Sequence, residues 1–152
     1  MSKLLLSINI LLLISLWIFT GTHYSGLPDT IPTHFDFHGE VDGQGHKRMI
    51  WFLPAIATFI FLLFVSLSRM PNSPMLNVPK EFRKKEPLGI MLFSMLIPLQ
   101  LLLGSIVMES ISVAQNKKDG LSNFSFVLVG MLFVVIGINI FIMYRKKRNE
   151  EV

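Results

Sequence analysis

Four long apolar runs separated by short polar stretches constrain this chain more than any other feature of it. They cover residues 4–19, 50–67, 88–108 and 124–144. A bilayer core about 30 Å thick asks for roughly 20 apolar residues per spanning helix, and a helix satisfies its own backbone N–H and C=O groups where no water is present to do so. Hydrophobic residues make up 51% of the 152 positions and charged residues only 16%, a balance unsuited to a single aqueous core. The expected fold class is therefore an all-α membrane protein: four transmembrane helices with a structured extracytoplasmic loop between helices 1 and 2. It divides into a two-helix module over residues 1–70, carrying an outer loop at 22–48, and a second two-helix module over 71–152 with a basic cytoplasmic loop and tail.

Basic residues set the orientation. Lys3, Arg69, Lys80, Arg83, Lys84, Lys85, Arg145, Lys146, Lys147 and Arg148 fall on one side of such a topology; only Lys47, Arg48, Lys117 and Lys118 fall on the other. The positive-inside rule places both termini in the cytoplasm, in what reads as a bacterial plasma membrane. The formal charge of +4 thus faces anionic lipid rather than nucleic acid. The first run is expected to stay uncleaved, because Phe19 stands where a signal peptidase site after Gly21 would need a small residue. The absence of cysteine excludes disulfides, thiolate metal sites and cysteine nucleophiles.

Within the spans the polar residues suggest packing rather than transport. Trp17, Tyr24, Trp51 and Tyr144 fall near helix ends, as interfacial anchors do. Gly130 and Gly137 share a face of the fourth helix, Gly104 and Ser105 give the third a small-residue patch, and Asn9, Gln100 and Asn139 can donate across helices. No ionisable group lies deep in any span, Glu109 being at the outer edge of the third, so a pump or ion carrier is not expected. Pro98 predicts a kink in the third helix. The inner connection holds Pro71, Pro74 and Pro79, and its basic cluster beside Phe82 is expected to rest on anionic lipid.

The outer loop carries the chemistry. All four histidines, His23, His34, His38 and His46, lie in it, together with Asp29, Asp36, Glu40 and Asp42. Pro28 and Pro32 stiffen its first half, and Gly39, Gly43 and Gly45 permit turns in its second. An extended backbone over 33–38 would put His34, Asp36 and His38 on one side and Phe35 and Phe37 on the other. Two imidazoles and a carboxylate can ligate zinc or another divalent ion, and histidines near carboxylates can sense protons. Thr33 beside His34 and Asp36 matches a nucleophile, base and acid by composition only, with no nucleophile elbow around it.

The order Leu27, Pro28, Ile31, Pro32, Thr33, His34, Phe35, Gly39, Asp42, Gly43, Gly45 and Lys47 resembles the signature of a bacterial membrane-domain family of unknown function. That domain also forms the N-terminal part of SdpI-type immunity proteins, which protect a Gram-positive producer from its own secreted toxic peptide and can act in signalling. The resemblance covers about residues 11–67 and implies Pro32, His34, Phe35, Gly39, Asp42, Gly45 and Lys47 as the binding positions. His38 and His46 depart from the family pattern, which weakens the metal reading, and the second half matches no motif of the SdpI C-terminal domain.

The residues and the resemblance together predict a binding, sensing or toxin-immunity-related membrane protein that acts through its outer loop, not an enzyme and without a required cofactor. Its expected partners are the bilayer and a secreted peptide or another membrane protein. The alternatives are a divalent-metal protein using His34, Asp36 and His38, and a small membrane enzyme built on the His/Asp cluster.

Overall fold

The computed structural model describes residues 1–150. They form a mostly helical protein: α1 (Ser2–Tyr24), a β-hairpin of β1 (Thr30–Phe35) and β2 (Val41–His46), a 3-10 turn over Lys47–Trp51, α2 (Phe52–Arg69), a short 3-10 turn at Lys80–Phe82, α3 (Lys85–Ala114) and α4 (Asn123–Glu150). Four helices are long and apolar enough to cross a membrane, and the chain reads as a multi-pass membrane protein.

α3 is the hub. It packs against α1, α2, α4 and β1, and it carries more of the buried side chains than any other element, Leu88, Leu96 and Val107 among them. It runs continuously through Pro98, which is itself buried. By contrast α4 is covered along one stripe only, with Phe133, Val134, Ile138 and Phe141 open to the surroundings, the distribution expected of a helix that shows most of its circumference to lipid.

Two clusters occupy the two ends of the bundle. Near the hairpin, Leu16, Leu27, Ile31, Ile50, Ala57, Val107 and Ile111 pack together. At the opposite end, Leu76, Phe82, Leu88, Met91 and Leu92 form a second cluster. Phe82 is thus an inward core residue and not a lipid-facing one. The adjacent Arg83 donates from its guanidinium to the carbonyls of Val78 and Leu76, both at 3.3 Å, so the proline-rich connection folds back on itself around that side chain.

Polar side chains join the helices much as their spacing predicts. Asn9 donates to the Phe93 carbonyl at 3.0 Å and Asn139 to Ser94 Oγ at 3.2 Å. Gln100 departs from the expectation: its amide is buried and has no partner among the described residues. Gly130 and Gly137 also depart from it, because a Cβ on either would meet nothing within 4 Å. Their face is open, not a helix contact within the chain.

The α3–α4 connection is closed with care. Asn116, at φ 55°, is the left-handed residue just past α3, and the Asn116 and Lys117 amides donate back to the Val113 and Ser112 carbonyls at 2.9 Å each, which is the Schellman arrangement. Glu109 lies one turn earlier, 5% exposed. Its carboxylate accepts from the Ser122 amide at 3.2 Å, the Ser122 hydroxyl, Ser125 Oγ at 2.7 Å and Lys118 Nζ at 3.1 Å. It therefore caps the first turn of α4 from a neighbouring helix. Ser125 spends its one proton on Glu109, so the 2.8 Å contact between Ser105 and Ser125 must have Ser105 as donor.

Candidate functional site

The hairpin between α1 and α2 gathers the motif residues. β1 and β2 pair antiparallel, Thr30 opposite His46, Ile31 opposite Gly45, Pro32 opposite Gln44, His34 opposite Gly43 and Phe35 opposite Val41, with irregularities on either side of His34. The register skips Thr33 on one strand and Asp42 on the other, so the two bulges compensate. Each bulge re-aims the side chains beside it, and between them His34 Nδ1 comes to 2.5 Å from Asp42 Oδ1. A carboxylate only accepts, so Nδ1–H is the donor. The His34 side chain is 72% exposed.

The base of the hairpin is clamped twice. Lys47 Nζ stands 3.0 Å from Asp29 Oδ1, and the Lys47 amide donates to the Asp29 carbonyl at 2.8 Å. The hydrogen bond and charge of Lys47 hold the Asp29 carboxyl below the usual aspartate range. Lys47 thus pairs with Asp29 rather than with Asp42, the acid of the motif. Its ammonium lies over the Tyr24 ring, 6.0 Å from the centroid. Tyr24 in turn lies 5.3 Å from Trp51, which stacks on Trp17 at 5.7 Å, and Trp17 Nε1 donates to Thr58 at 2.9 Å. Three aromatics that sequence reading treats as separate anchors thus form one cluster tying α1 to α2 beneath the hairpin.

One face of the hairpin is buried by apolar contact. Ile31 is 2% exposed and Leu27 5%, and both belong to the cluster formed with α1, α2 and α3. Pro32 is also buried, and Phe35 is half-buried at the end of β1. Ile31 therefore anchors the hairpin more deeply than Phe35 does. On β2, Gly45 has no room for a side chain without displacement: a Cβ there would lie 2.9 Å from Thr33 Cγ2.

The tip of the hairpin is fixed by a third attachment. Asp36 Oδ1 accepts from the His38 and Glu40 amides at 2.8 and 2.9 Å, an Asx-type turn whose donors hold the Asp36 carboxyl below its ordinary range. Gly39 takes φ +82°, a conformation that favours glycine, and its carbonyl accepts from the Leu121 amide at 2.8 Å. Glu40 and Gly120 form an isolated antiparallel bridge. A Cβ on Gly120 would fall 2.2 Å from the Gly39 oxygen, so the α3–α4 connection can approach the tip only with glycine there. Nothing local in the polar stretch 115–123 announces this contact.

The triad His34, Asp36 and His38 does not share a strand face. β1 ends at Phe35 and bulges at His34, which breaks the alternation that would have aligned the three. Asp36 is engaged by backbone amides, His34 by Asp42, and His38 stands exposed at the tip. Among the described residues no three His, Asp or Glu side chains converge as a metal-binding group. Beside His38, Phe37 is 97% exposed.

Residues 11–58, which run from α1 through the hairpin into α2, match the family model described as a domain of unknown function, DUF1648. An uncharacterized protein of Archaeoglobus fulgidus is 36% identical over 85 residues, a stretch that covers 51% of this chain and 45% of that protein. The chain thus spans less than half the length of that relative. No solved structure matches it.

Proposed function

We propose that this is a plasma-membrane binding protein related to toxin immunity, with both termini and the proline-rich connection in the cytoplasm and the hairpin outside, where it takes a secreted peptide. One observation carries this reading. The hairpin is attached at its base, along one face and at its tip, yet the His34–Asp42 pair and Phe37 remain uncovered. A rigid mount that presents a charge-assisted hydrogen-bonding pair and a bare aromatic ring suits recognition of a peptide, because little ordering entropy is left to lose on binding. Pro32, Phe35, Gly39, Gly45 and Lys47 build the mount, and His34 and Asp42 meet the ligand. The bias of basic residues supports the orientation.

The test is survival of a sensitive bacterium challenged with a panel of secreted, membrane-active peptides, with the protein and its variants at matched membrane levels. Protection by the parent chain that is lost in His34→Ala and in Phe37→Ala is the expected result. Protection that withstands both substitutions, or none against any peptide, refutes it. Orientation is checked separately on the cysteine-free background: Gln44→Cys labels with an impermeant maleimide added to whole cells and Ser73→Cys does not.

A further inference from the structure

We propose that the C-terminal half of α4 carries a site for one anionic phospholipid. Gly137, Ile140, Phe141 and Tyr144 line a groove of about 600 Å3 that ends on Arg145 and Arg148. The six positions recur at spacings of three and four, so they share one face of the helix. This is not the face that holds α4 to the rest of the protein: Met143 packs into the Leu76–Phe82–Leu88 cluster and Lys146 stands over the Phe82 ring at 5.3 Å, while Phe141, Tyr144, Arg145 and Arg148 are exposed.

The groove crosses the point where the apolar segment of α4, Asn123–Lys146, ends. From Arg145 back to Gly137 is eight residues, roughly 12 Å of helix, so the apolar part of the groove reaches about two turns into the hydrocarbon layer while the guanidiniums remain at headgroup depth. Gly137 supplies the hollow, since the space a Cβ would take is empty. An acyl chain fits the apolar part, and a phosphate fits two guanidiniums one turn apart, whose forked donors suit a phosphate better than an ammonium would. Charge complementarity thus selects an anionic lipid over a zwitterionic one, and the apolar lining selects a lipid over free phosphate.

Native mass spectrometry of the full chain, released from nanodiscs of mixed phosphatidylglycerol and phosphatidylcholine, reads the site directly. One phosphatidylglycerol retained in excess is the expected result, undiminished by added glycerol phosphate. In R145Q/R148Q the preference falls roughly 30-fold, each cation near the surface contributing about a factor of five. Gly137→Leu keeps every charge but fills the hollow, and it lowers retention as well; this variant decides the matter if the double variant inserts poorly. K84Q/K85Q, which removes charge from the other basic cluster, leaves retention unchanged. Equal retention of the two lipids, displacement by glycerol phosphate, an unaltered Gly137→Leu, or an equal loss in K84Q/K85Q would each overturn the proposal, the last by showing diffuse attraction rather than a site.

Discussion

Ile31 is where apolar contact holds the hairpin to the bundle, and Ile31→Ala tests whether apolar docking or the polar clamps dominate. The side chain is 2% exposed and packs in one cluster with Leu16, Leu27, Ile50, Val107 and Ile111. Truncation removes three buried carbons, about 2.4 kcal/mol of transfer free energy at roughly 0.8 kcal/mol each. The cavity left behind adds to this, within the 2–5 kcal/mol range typical of such changes; about 3 kcal/mol is expected. The loss falls on docking rather than on the helices, since local opening draws on local contacts. Ile111→Cys, placed in the same cluster on the cysteine-free background, serves as reporter. Its labelling by an impermeant maleimide in detergent micelles proceeds through hairpin opening, and adding Ile31→Ala should accelerate it by about 150-fold, the equivalent of about 3 kcal/mol. His34→Ala, at a side chain 72% exposed, should leave the rate within a factor of about two. A labelling rate unmoved by Ile31→Ala would mean that the Asp29–Lys47 clamp and the tip contact hold the hairpin without apolar help, and the reasoning would fail.

Gly120→Ala forces a Cβ into the Gly39 carbonyl, 2.2 Å away, at an expected cost of about 1–3 kcal/mol for overpacking; hydrogen exchange at the Leu121 amide should quicken while amides in mid-α3 keep their protection. Glu109→Leu leaves the Ser122 and Ser125 hydroxyls and Lys118 without their acceptor and should lower the melting temperature in detergent by more than Glu109→Gln, the buried unmet groups costing about 1–3 kcal/mol; equal melting of the two variants would refute the capping role. The hairpin should also tolerate acid. Asp29 and Asp36 both have carboxyls held below the ordinary value, so the unfolded segment binds protons before the folded one does, and their contribution is complete above the ordinary aspartate range and fades only as pH falls through the lower folded values. Exchange protection of the His38 and Glu40 amides, followed by NMR on acidification, should persist below pH about 4; loss already at pH 5 to 6 would contradict it.

Helix number, and their apolar character, were legible because each run is long enough to be read without knowing its neighbours. Helix ends were less so: α3 continues past Met108 to Ala114 because Glu109, a charge that looks like a boundary, finds three serine and lysine partners from across the next turn. Within the loop, the prolines and glycines mark where the backbone stiffens and turns, while the contact of His34 with Asp42 depends on how the two strands pair. Sequence does not choose a partner for Lys47, since Asp29 and Asp42 are equally acidic and only the hairpin's closure at its base decides between them. The proposed alignment of His34, Asp36 and His38 failed because alternation holds only while a strand continues without a bulge.

What the sequence determined by itself is what depends on local composition: four apolar helices, a basic bias on one side, a chain without cysteine chemistry, and a polar motif between the first two spans. Bilayer thickness and helix rise act on each segment separately, so no knowledge of the others is needed. The tertiary structure decided which surfaces meet. It made α3 the hub, buried Ile31 instead of Phe35, brought Gly120 against Gly39 across 81 positions of chain, and left one face of α4 with Gly137, Arg145 and Arg148 open. Those outcomes rest on contacts between residues distant in sequence, whose free energy exists only once the helices have docked, and no periodicity within a single segment encodes them.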